Sequence, residues 1–174
     1  MVSNPMETIG PNFGHWPVTR LSLRQMDTPM QRDDPPGDLH GKVLYIEDVD
    51  ANYLVVESIL AAHAGVTLLR AATGRDGVER VRSDNPDFVL LDMHLPDMSG
   101  LDVVRELSDT IAERQLRVTI LTSDRLTMDI IKAMSLGAYE YMVKPIDRAA
   151  LEAGVRRALT GKRPAASGTL NKPH

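Results

Sequence analysis

Five short, largely apolar runs constrain the fold of this chain more than any other feature. Each run is four or five residues long, as strands commonly are, and residues 43–46 have the character of a strand buried on both faces of a sheet. The runs are residues 43–46, 66–69, 88–91, 118–121 and 139–143. Because helix-like segments alternate with them, the sequence predicts an α/β protein, with a doubly wound five-stranded parallel sheet and helices on both faces.

The segments between the runs have apolar residues at helical spacing. Asp50 and Asp147 are placed to cap the first and the fifth helix. The fourth helix is expected over residues 125–136, with Gly137 ending it. Tyr45 and Tyr139 are interpreted as packing residues within strands. The other expected helical residues are Val55, Ile59 and Ala62 in the first helix, residues 74–83 as the second, and Leu101, Val104 and Leu107 in the third.

The two ends of the chain differ from this pattern. Residues 1–41 hold six of the eleven prolines and show no apolar period, so a disordered arm is predicted there. A translation start at Met26 or Met30, or a docking peptide at residues 13–16, are alternatives for this arm. Residues 161–174 are predicted to be a flexible tail, which leaves residues 42–160 as the folded domain.

Composition excludes several classes of function. A net charge of -4 provides no basic field for a phosphate backbone, so direct binding of nucleic acid is not expected. The chain has no cysteine, which excludes disulfides and a cysteine-ligated zinc site. No apolar run approaches the roughly 20 residues of a membrane-spanning helix, so we expect a cytoplasmic protein without a membrane partner.

Polar side chains follow four of the five predicted strands. They are Glu47 and Asp48, Asp92, Thr122 and Ser123, and Lys144 followed by Pro145. Ligands of open parallel sheets bind at the carboxyl ends of the strands, so these residues are expected to meet at one edge. One such residue alone is more often a cap or a turn residue. Three carboxylates, one hydroxyl and one ammonium group at the ends of four strands together indicate a site.

The chemistry of this set points to phosphoryl transfer. Clustered carboxylates repel one another unless a cation lies between them, and ligands that are all oxygen favour Mg²⁺, with Mn²⁺ as a second choice. A carboxylate can act as the nucleophile that receives a phosphoryl group. Lys144 supplies a cation for the phosphoryl oxygens, and Thr122 supplies a hydrogen-bond donor.

Four segments resemble the receiver domain of response regulators: VLYIEDVDAN, FVLLDMHLPDMSGLDVV, VTILTSD and GAYEYMVKPID. The resemblance covers residues 42–160 and implies a flavodoxin-like fold with strand order 2-1-3-4-5. It implies that Asp92 is the phosphoacceptor. It further implies that Asp48 and Asp92 bind the metal directly, Glu47 through water, and His94 through its main-chain carbonyl.

The same resemblance implies roles for the remaining residues. Thr122 is the switch hydroxyl, Ser123 lies beside it in the phosphate-binding segment, and Tyr141 is the aromatic side chain that turns inward. Lys144 pairs with the phosphoryl oxygens and is joined to Pro145 by a cis peptide. His94 and Asp124 stand at positions that tune hydrolysis of the acyl phosphate, although an exposed loop residue that lends only its carbonyl is the favoured interpretation of His94.

A receiver of this kind takes its phosphoryl group from a sensor histidine kinase or a histidine phosphotransfer protein and performs no enzymatic turnover beyond its own phosphorylation and slow dephosphorylation. The face formed by the fourth helix, fifth strand and fifth helix is predicted to bind a downstream protein or a second copy. Its expected surface residues are Arg125, Ile130, Tyr141 and Arg156. The short tail predicts a stand-alone receiver, with a detached hybrid-kinase receiver or a relay intermediate as alternatives.

Three other functions remain open from the sequence. The first is an interaction module with this fold that is not phosphorylated, and the intact residue set argues against it. The second is a phosphohydrolase with an aspartyl nucleophile, but Met93 and His94 follow Asp92 where such enzymes carry a second aspartate two residues on. Flavin binding is the third, and no Ser/Thr-rich loop follows the first strand.

Overall fold

The computed structural model describes residues 39–161. Five strands alternate with five helices along this part of the chain. In chain order they are β1 (His40–Ile46), α1 (Asp50–Leu60), β2 (Gly65–Ala71), α2 (Gly74–Ser83), β3 (Phe88–Asp92), α3 (Gly100–Arg114), β4 (Arg117–Thr122), α4 (Met128–Ser135), β5 (Glu140–Val143) and α5 (Arg148–Thr160).

The five strands form one sheet in the order β2-β1-β3-β4-β5, and every pairing is parallel. Both the α/β class and the 2-1-3-4-5 order are therefore confirmed. All five residues of β3 are buried, as expected for the central strand. Alternate strand residues point to opposite faces, so the sheet is covered by two separate apolar layers. One layer packs against α2, α3 and α4, and the other against α1 and α5.

The first helix is rotated relative to the prediction. Val56, Ile59 and Leu60 face the sheet, whereas Val55 is 44% exposed and Ala62 lies beyond the helix end. Asp50 does not cap the helix, because Val49 is the N-cap residue and makes no side-chain cap hydrogen bond. The Asp50 carboxylate is instead paired with Arg70 from β2 at 2.5 Å.

The fourth helix begins three residues later than predicted. Thr127 is its N-cap, and its hydroxyl accepts a hydrogen bond from the Ile130 amide, as threonine commonly does at this position. The predicted surface role of Ile130 is wrong, because its side chain is fully buried on the side of this helix that faces the core. At the other end, Gly137 has a φ of +112°, which suits glycine and ends the helix where predicted.

Other boundaries are close to the prediction, with two differences. Strand β1 begins at His40 and Leu39 is buried, so residues 39–41 belong to the ordered domain; the rest of the predicted arm and most of the predicted tail lie outside the described residues. Tyr139 is not a core residue, because it precedes β5, is 43% exposed and lies against the Arg117 guanidinium. Within residues 39–161, no helix is long and apolar enough to cross a membrane.

Candidate functional site

Three carboxylates lie together at the carboxyl ends of β1 and β3. The two strands are neighbours, with Ile46 in register with Leu91, so the residues that follow come out side by side. Glu47, Asp48 and Asp92 each offer an oxygen, and these oxygens lie within 4.8 Å of one another. Glu47 is fully buried, Asp92 is 5% exposed, and Asp48 is exposed at the mouth.

Lys144 joins two of these carboxylates. Its Nζ lies 2.6 Å from Glu47 Oε2 and 2.9 Å from Asp92 Oδ1. The backbone after β5 positions it, since the Lys144 amide donates to the Thr122 carbonyl at 2.7 Å. The Lys144–Pro145 peptide is cis. Burial alone lowers the pKa of Lys144, but its hydrogen bonds to Glu47 and Asp92 outweigh burial and raise it. The ammonium group therefore stays charged at neutral pH.

Glu47 is held by several donors at once. Besides Lys144, the Tyr45 hydroxyl donates to Oε2 at 2.7 Å and the Val49 amide donates to Oε1 at 3.1 Å. Burial raises the pKa of Glu47, and the hydrogen bonds from Lys144, Tyr45 and Asn52 lower it by more. The buried carboxylate is thus kept ionised by its donors.

Tyr45 is a site residue that the sequence interpretation missed. It is fully buried, as predicted for a packing residue, yet its hydroxyl contacts the acidic cluster. One signal for it exists in the sequence. Residues two apart in a strand point to the same side, so a tyrosine two positions before Glu47 can reach that carboxylate.

Asp92 is fixed by the loop that follows it. The His94 amide donates to Asp92 Oδ2 at 3.0 Å, which leaves Oδ1 facing Lys144. The loop leads into α3, and the Gly100 amide at the start of this helix donates to the Met93 carbonyl at 2.9 Å. A Cβ on Gly100 would lie 2.6 Å from the Asp92 carbonyl oxygen, so this close approach needs glycine.

Thr122 ends β4, with a fully buried side chain whose hydroxyl accepts from the Asp124 amide at 3.1 Å. Because β4 pairs with β3, Thr122 lies at the end of the strand next to the one that carries Asp92. Ser123 is exposed. Tyr141 lies on edge strand β5, opposite Ile120, and is 38% exposed.

His94 and Asp124 lie two residues after Asp92 and Thr122, and their side chains meet. His94 Nε2 is 3.3 Å from Asp124 Oδ2, although both side chains are largely exposed, at 67% and 47%. The pair bridges the loop after β3 to the loop after β4. The pair lines a pocket together with Met93, Ser99, Thr127 and Asp129.

The donor set suits a hard divalent cation. Three carboxylates from adjacent strand ends provide oxygen ligands, and no histidine nitrogen or cysteine takes part in the cluster within the described residues. The one ammonium group at the site already balances part of the negative charge. An added cation would balance the rest.

Comparison with known proteins identifies the family. The model of the response regulator receiver domain matches residues 43–156, which is about two thirds of the chain and includes every site residue described above. This chain belongs to the response regulator receiver family. Its receiver domain is 34% identical over 117 residues to the transcriptional regulatory protein AfsQ1 of Streptomyces coelicolor. That match covers 67% of this chain and 50% of AfsQ1, so the chain spans about half the length of that relative.

Other receivers match over nearly their whole length. Protein PilH of Pseudomonas aeruginosa is 28% identical over 120 residues, which covers 69% of this chain and 98% of PilH. The crystal structure of the receiver domain of sensor histidine kinase PA1611 from the same species is 26% identical, with a TM-score of 0.62. It covers 70% of this chain and 98% of that one, and it holds a magnesium ion in its active-site cleft.

Proposed function

We propose that this receiver domain accepts a phosphoryl group on Asp92 from a phosphohistidine of a sensor histidine kinase or a histidine phosphotransfer protein. A carboxylate oxygen of Asp92 attacks phosphorus and a P–O bond forms. The P–N bond to the donor breaks, and its electron pair returns to the imidazole nitrogen. The product is an acyl phosphate on Asp92 and a free histidine on the donor. One observation carries this proposal: a nearly buried carboxylate has an ammonium group 2.9 Å away.

The carboxylate cluster is the proposed site of Mg²⁺, or of Mn²⁺ in its place. Asp48 and Asp92 would bind it directly, Glu47 through water, and His94 through its main-chain carbonyl. A bound divalent cation neutralises the charge on the phosphoryl oxygens and removes the repulsion between the carboxylates. The magnesium ion in the cleft of the PA1611 receiver supports this assignment.

Lys144 and Thr122 are proposed to hold the transferred group. Lys144 already reaches Asp92 Oδ1, so a small movement of its Nζ brings it to a phosphoryl oxygen. The Thr122 hydroxyl accepts from the Asp124 amide, and its own proton is free to be donated to the phosphoryl group. Ser123 is expected to contribute through the backbone of the same loop.

The output is proposed to pass through the α4–β5–α5 face. Moving Thr122 shifts the loop after β4, and Tyr141 on the neighbouring strand then turns inward. The outer surface of α4, of β5 and of the residues just before each of them is apolar and exposed, which suits a protein partner or a second copy. Its exposed members are Leu126, Met128, Ile131, Tyr139, Tyr141 and Val143. Arg125 and Arg156 border the same face in this proposal, and the setting is the cytoplasm.

Intact-mass measurement after incubation with acetyl phosphate and Mg²⁺ tests the acceptor. We expect the native chain to gain the mass of one phosphate and Asp92→Asn to gain none. Asp97→Asn is the matched control, because Asp97 lies in the same loop but its carboxylate caps α2 through the amides of Gly74 and Arg75. Phosphate on an Asp92→Asn chain, or none on the native chain, would contradict the proposal.

The output surface needs a separate test. Amide chemical shifts of α4, β5 and α5 are compared with and without beryllium fluoride, which mimics the acyl phosphate. We expect shifts to extend from Thr122 to Tyr141 in the native chain, and to stop short of β5 in Thr122→Val. Changes confined to the loops around Asp92 would leave this face without a switching role.

A further inference from the structure

The acidic cluster has a supporting layer beneath it. The Tyr45 ring lies stacked near the Tyr53 ring, with centroids 6.2 Å apart and planes within 18°. The Arg70 guanidinium lies 4.8 Å from the centroid of the Tyr53 ring and also pairs with Asp50 at the start of α1. Strand β2 and helix α1 therefore fix the orientation of the Tyr45 ring, and with it the position of the hydroxyl.

We propose that Tyr45 is a positioning residue for Glu47, whose hydroxyl holds this carboxylate in place for a divalent cation. The inference rests on the proposed function, because it assigns a residue to the cation site described above. Tyr45 touches neither the phosphoryl group nor the cation. It acts through Glu47 Oε2, to which it donates at 2.7 Å.

The need for such a residue follows from the length of glutamate. A glutamate side chain has one more rotatable bond than aspartate, and a long side chain loses more conformational entropy when it is held. Lys144 shares the task of holding Oε2, but the same ammonium group also contacts Asp92. When Lys144 turns toward a phosphoryl oxygen, the Tyr45 hydroxyl stays as a donor to Oε2.

Burial makes the hydrogen bond between Tyr45 and Glu47 difficult to replace. Tyr45 and Glu47 are both fully buried, so water cannot easily replace a lost hydroxyl. Changing Tyr45 to phenylalanine keeps the ring and removes only the donor. Shortening Glu47 to aspartate moves the carboxylate away from the hydroxyl, so the tyrosine loses its role in that background.

The test combines two measurements on four chains: native, Tyr45→Phe, Glu47→Asp and the double variant. Urea unfolding in EDTA measures how much the hydrogen bond between Tyr45 and Glu47 stabilises the fold when no divalent cation is bound. We expect Tyr45→Phe to lower the urea midpoint in the native background and to change it little beside Glu47→Asp. Equal losses in both backgrounds would show that the hydroxyl does not act through Glu47.

Electron paramagnetic resonance of Mn²⁺ then measures cation affinity as the free-ion signal falls. We expect Tyr45→Phe to weaken binding about tenfold, the lower end of the effect of removing an outer-shell partner of a metal site. The loss should disappear in the Glu47→Asp background. Tyr53→Phe is the matched control, since it removes the neighbouring hydroxyl of the same stack, which is bonded to Glu57.

The outcomes separate the two proposals. Unchanged Mn²⁺ affinity in Tyr45→Phe, or an equal loss in Tyr53→Phe, overturns the role of Tyr45 while the cation site stands. A native chain that binds no Mn²⁺ overturns the cation site itself, and the role of Tyr45 with it. Neither conclusion, on the cation site or on the role of Tyr45, requires phosphorylation of the chain by acetyl phosphate.

Discussion

His94 Nε2 lies 3.3 Å from Asp124 Oδ2, and this contact joins the two loops that follow Asp92 at the end of β3 and Thr122 at the end of β4. The backbone amide of His94 donates to the Asp92 carboxylate, and the backbone amide of Asp124 donates to the Thr122 hydroxyl. Each residue thus contacts the site through its backbone and the other loop through its side chain. The pair is placed to limit how far the two loops separate.

We expect loss of this pair to shorten the lifetime of the acyl phosphate. Without the bridge the loops separate more easily and water reaches the phosphorus more often. His94→Ala and Asp124→Ala should each speed the loss of phosphate mass severalfold, and the double variant should be no faster than either. Asp129→Asn is the control, because Asp129 lies beside the pair but its carboxylate faces Lys132 at 3.6 Å. Additive rates in the double variant would contradict a shared bridge.

Replacing Lys144 with methionine should have opposite effects on cation binding and on phosphorylation. When no divalent cation is bound, we expect the Lys144 change to lower the free energy of unfolding by about 3–5 kcal/mol, as for the removal of one partner of a buried ion pair. Mg²⁺ should restore part of that loss, because it takes over the neutralisation of Glu47 and Asp92 and should bind more tightly than in the native chain. Phosphorylation by acetyl phosphate should nevertheless slow strongly.

Calorimetric titration with Mg²⁺ and intact-mass kinetics measure the two effects of the Lys144 change. Lys132→Met serves as the control, because Lys132 is 57% exposed on α4 and its removal should leave both measurements unchanged. Weaker Mg²⁺ binding in Lys144→Met would show that the lysine does not compete with the cation for these carboxylates.

The stability of the domain should depend on pH through Glu47. Its pKa is lowered from the ordinary value of 4.5 by Lys144, Tyr45 and Asn52, despite burial. A carboxyl group whose pKa is lower in the folded state stabilises the fold above the unfolded pKa, and this stabilisation is lost as the pH falls through the folded value. The stability advantage of the native chain over Glu47→Gln should therefore be full near neutral pH and shrink below about pH 4.5.

Urea unfolding in EDTA across this pH range measures the advantage. Glu113→Gln, a surface change on α3, controls for the general effect of acid on the fold. An advantage that stays constant down to acid pH would mean that Glu47 is not held ionised by its donors. The raised pKa of Lys144 acts on the alkaline side, where its contribution is lost only above the ordinary value of 10.5.

Gly100→Ala should disturb the backbone at Asp92 and Met93 directly. The added Cβ would meet the Asp92 carbonyl oxygen at 2.6 Å and the Met93 Cα at 2.8 Å, and both are backbone atoms that cannot turn aside. We expect a loss of about 1–3 kcal/mol in unfolding free energy, as for other overpacked sites, together with slower phosphorylation.

Gly154→Ala is the matched control for that change. Its Cβ would meet the end of the flexible Met142 side chain at 2.7 Å, and alanine favours the interior of α5. This variant should be close to neutral in stability and should phosphorylate at the native rate. Equal damage at both positions would mean that the close approach at Gly100 has no special importance.

Most of the architecture was predictable from local patterns. A run such as residues 88–91 is apolar at every position, which only a central strand requires, and the alternation with helices leaves few topologies. The helix phases were less predictable. Val55 and Val56 are adjacent and equally apolar, and only packing against the sheet decides that Val56 faces inward. Ile130 was misplaced for the same reason, because its turn starts at Thr127 and not at Arg125.

The sequence by itself determined the strand ends, and with them the convergence of Glu47, Asp92 and Lys144, because parallel neighbours must bring their carboxyl ends to one edge. Only the tertiary structure decided which side-chain atoms meet there. The strand position of Tyr45 predicts only packing, whereas its hydroxyl lies 2.7 Å from Glu47, and the contact of His94 with Asp124 joins residues 30 positions apart. Spacing along a chain fixes direction within one element, whereas a hydrogen bond between elements depends on the register and orientation that packing sets.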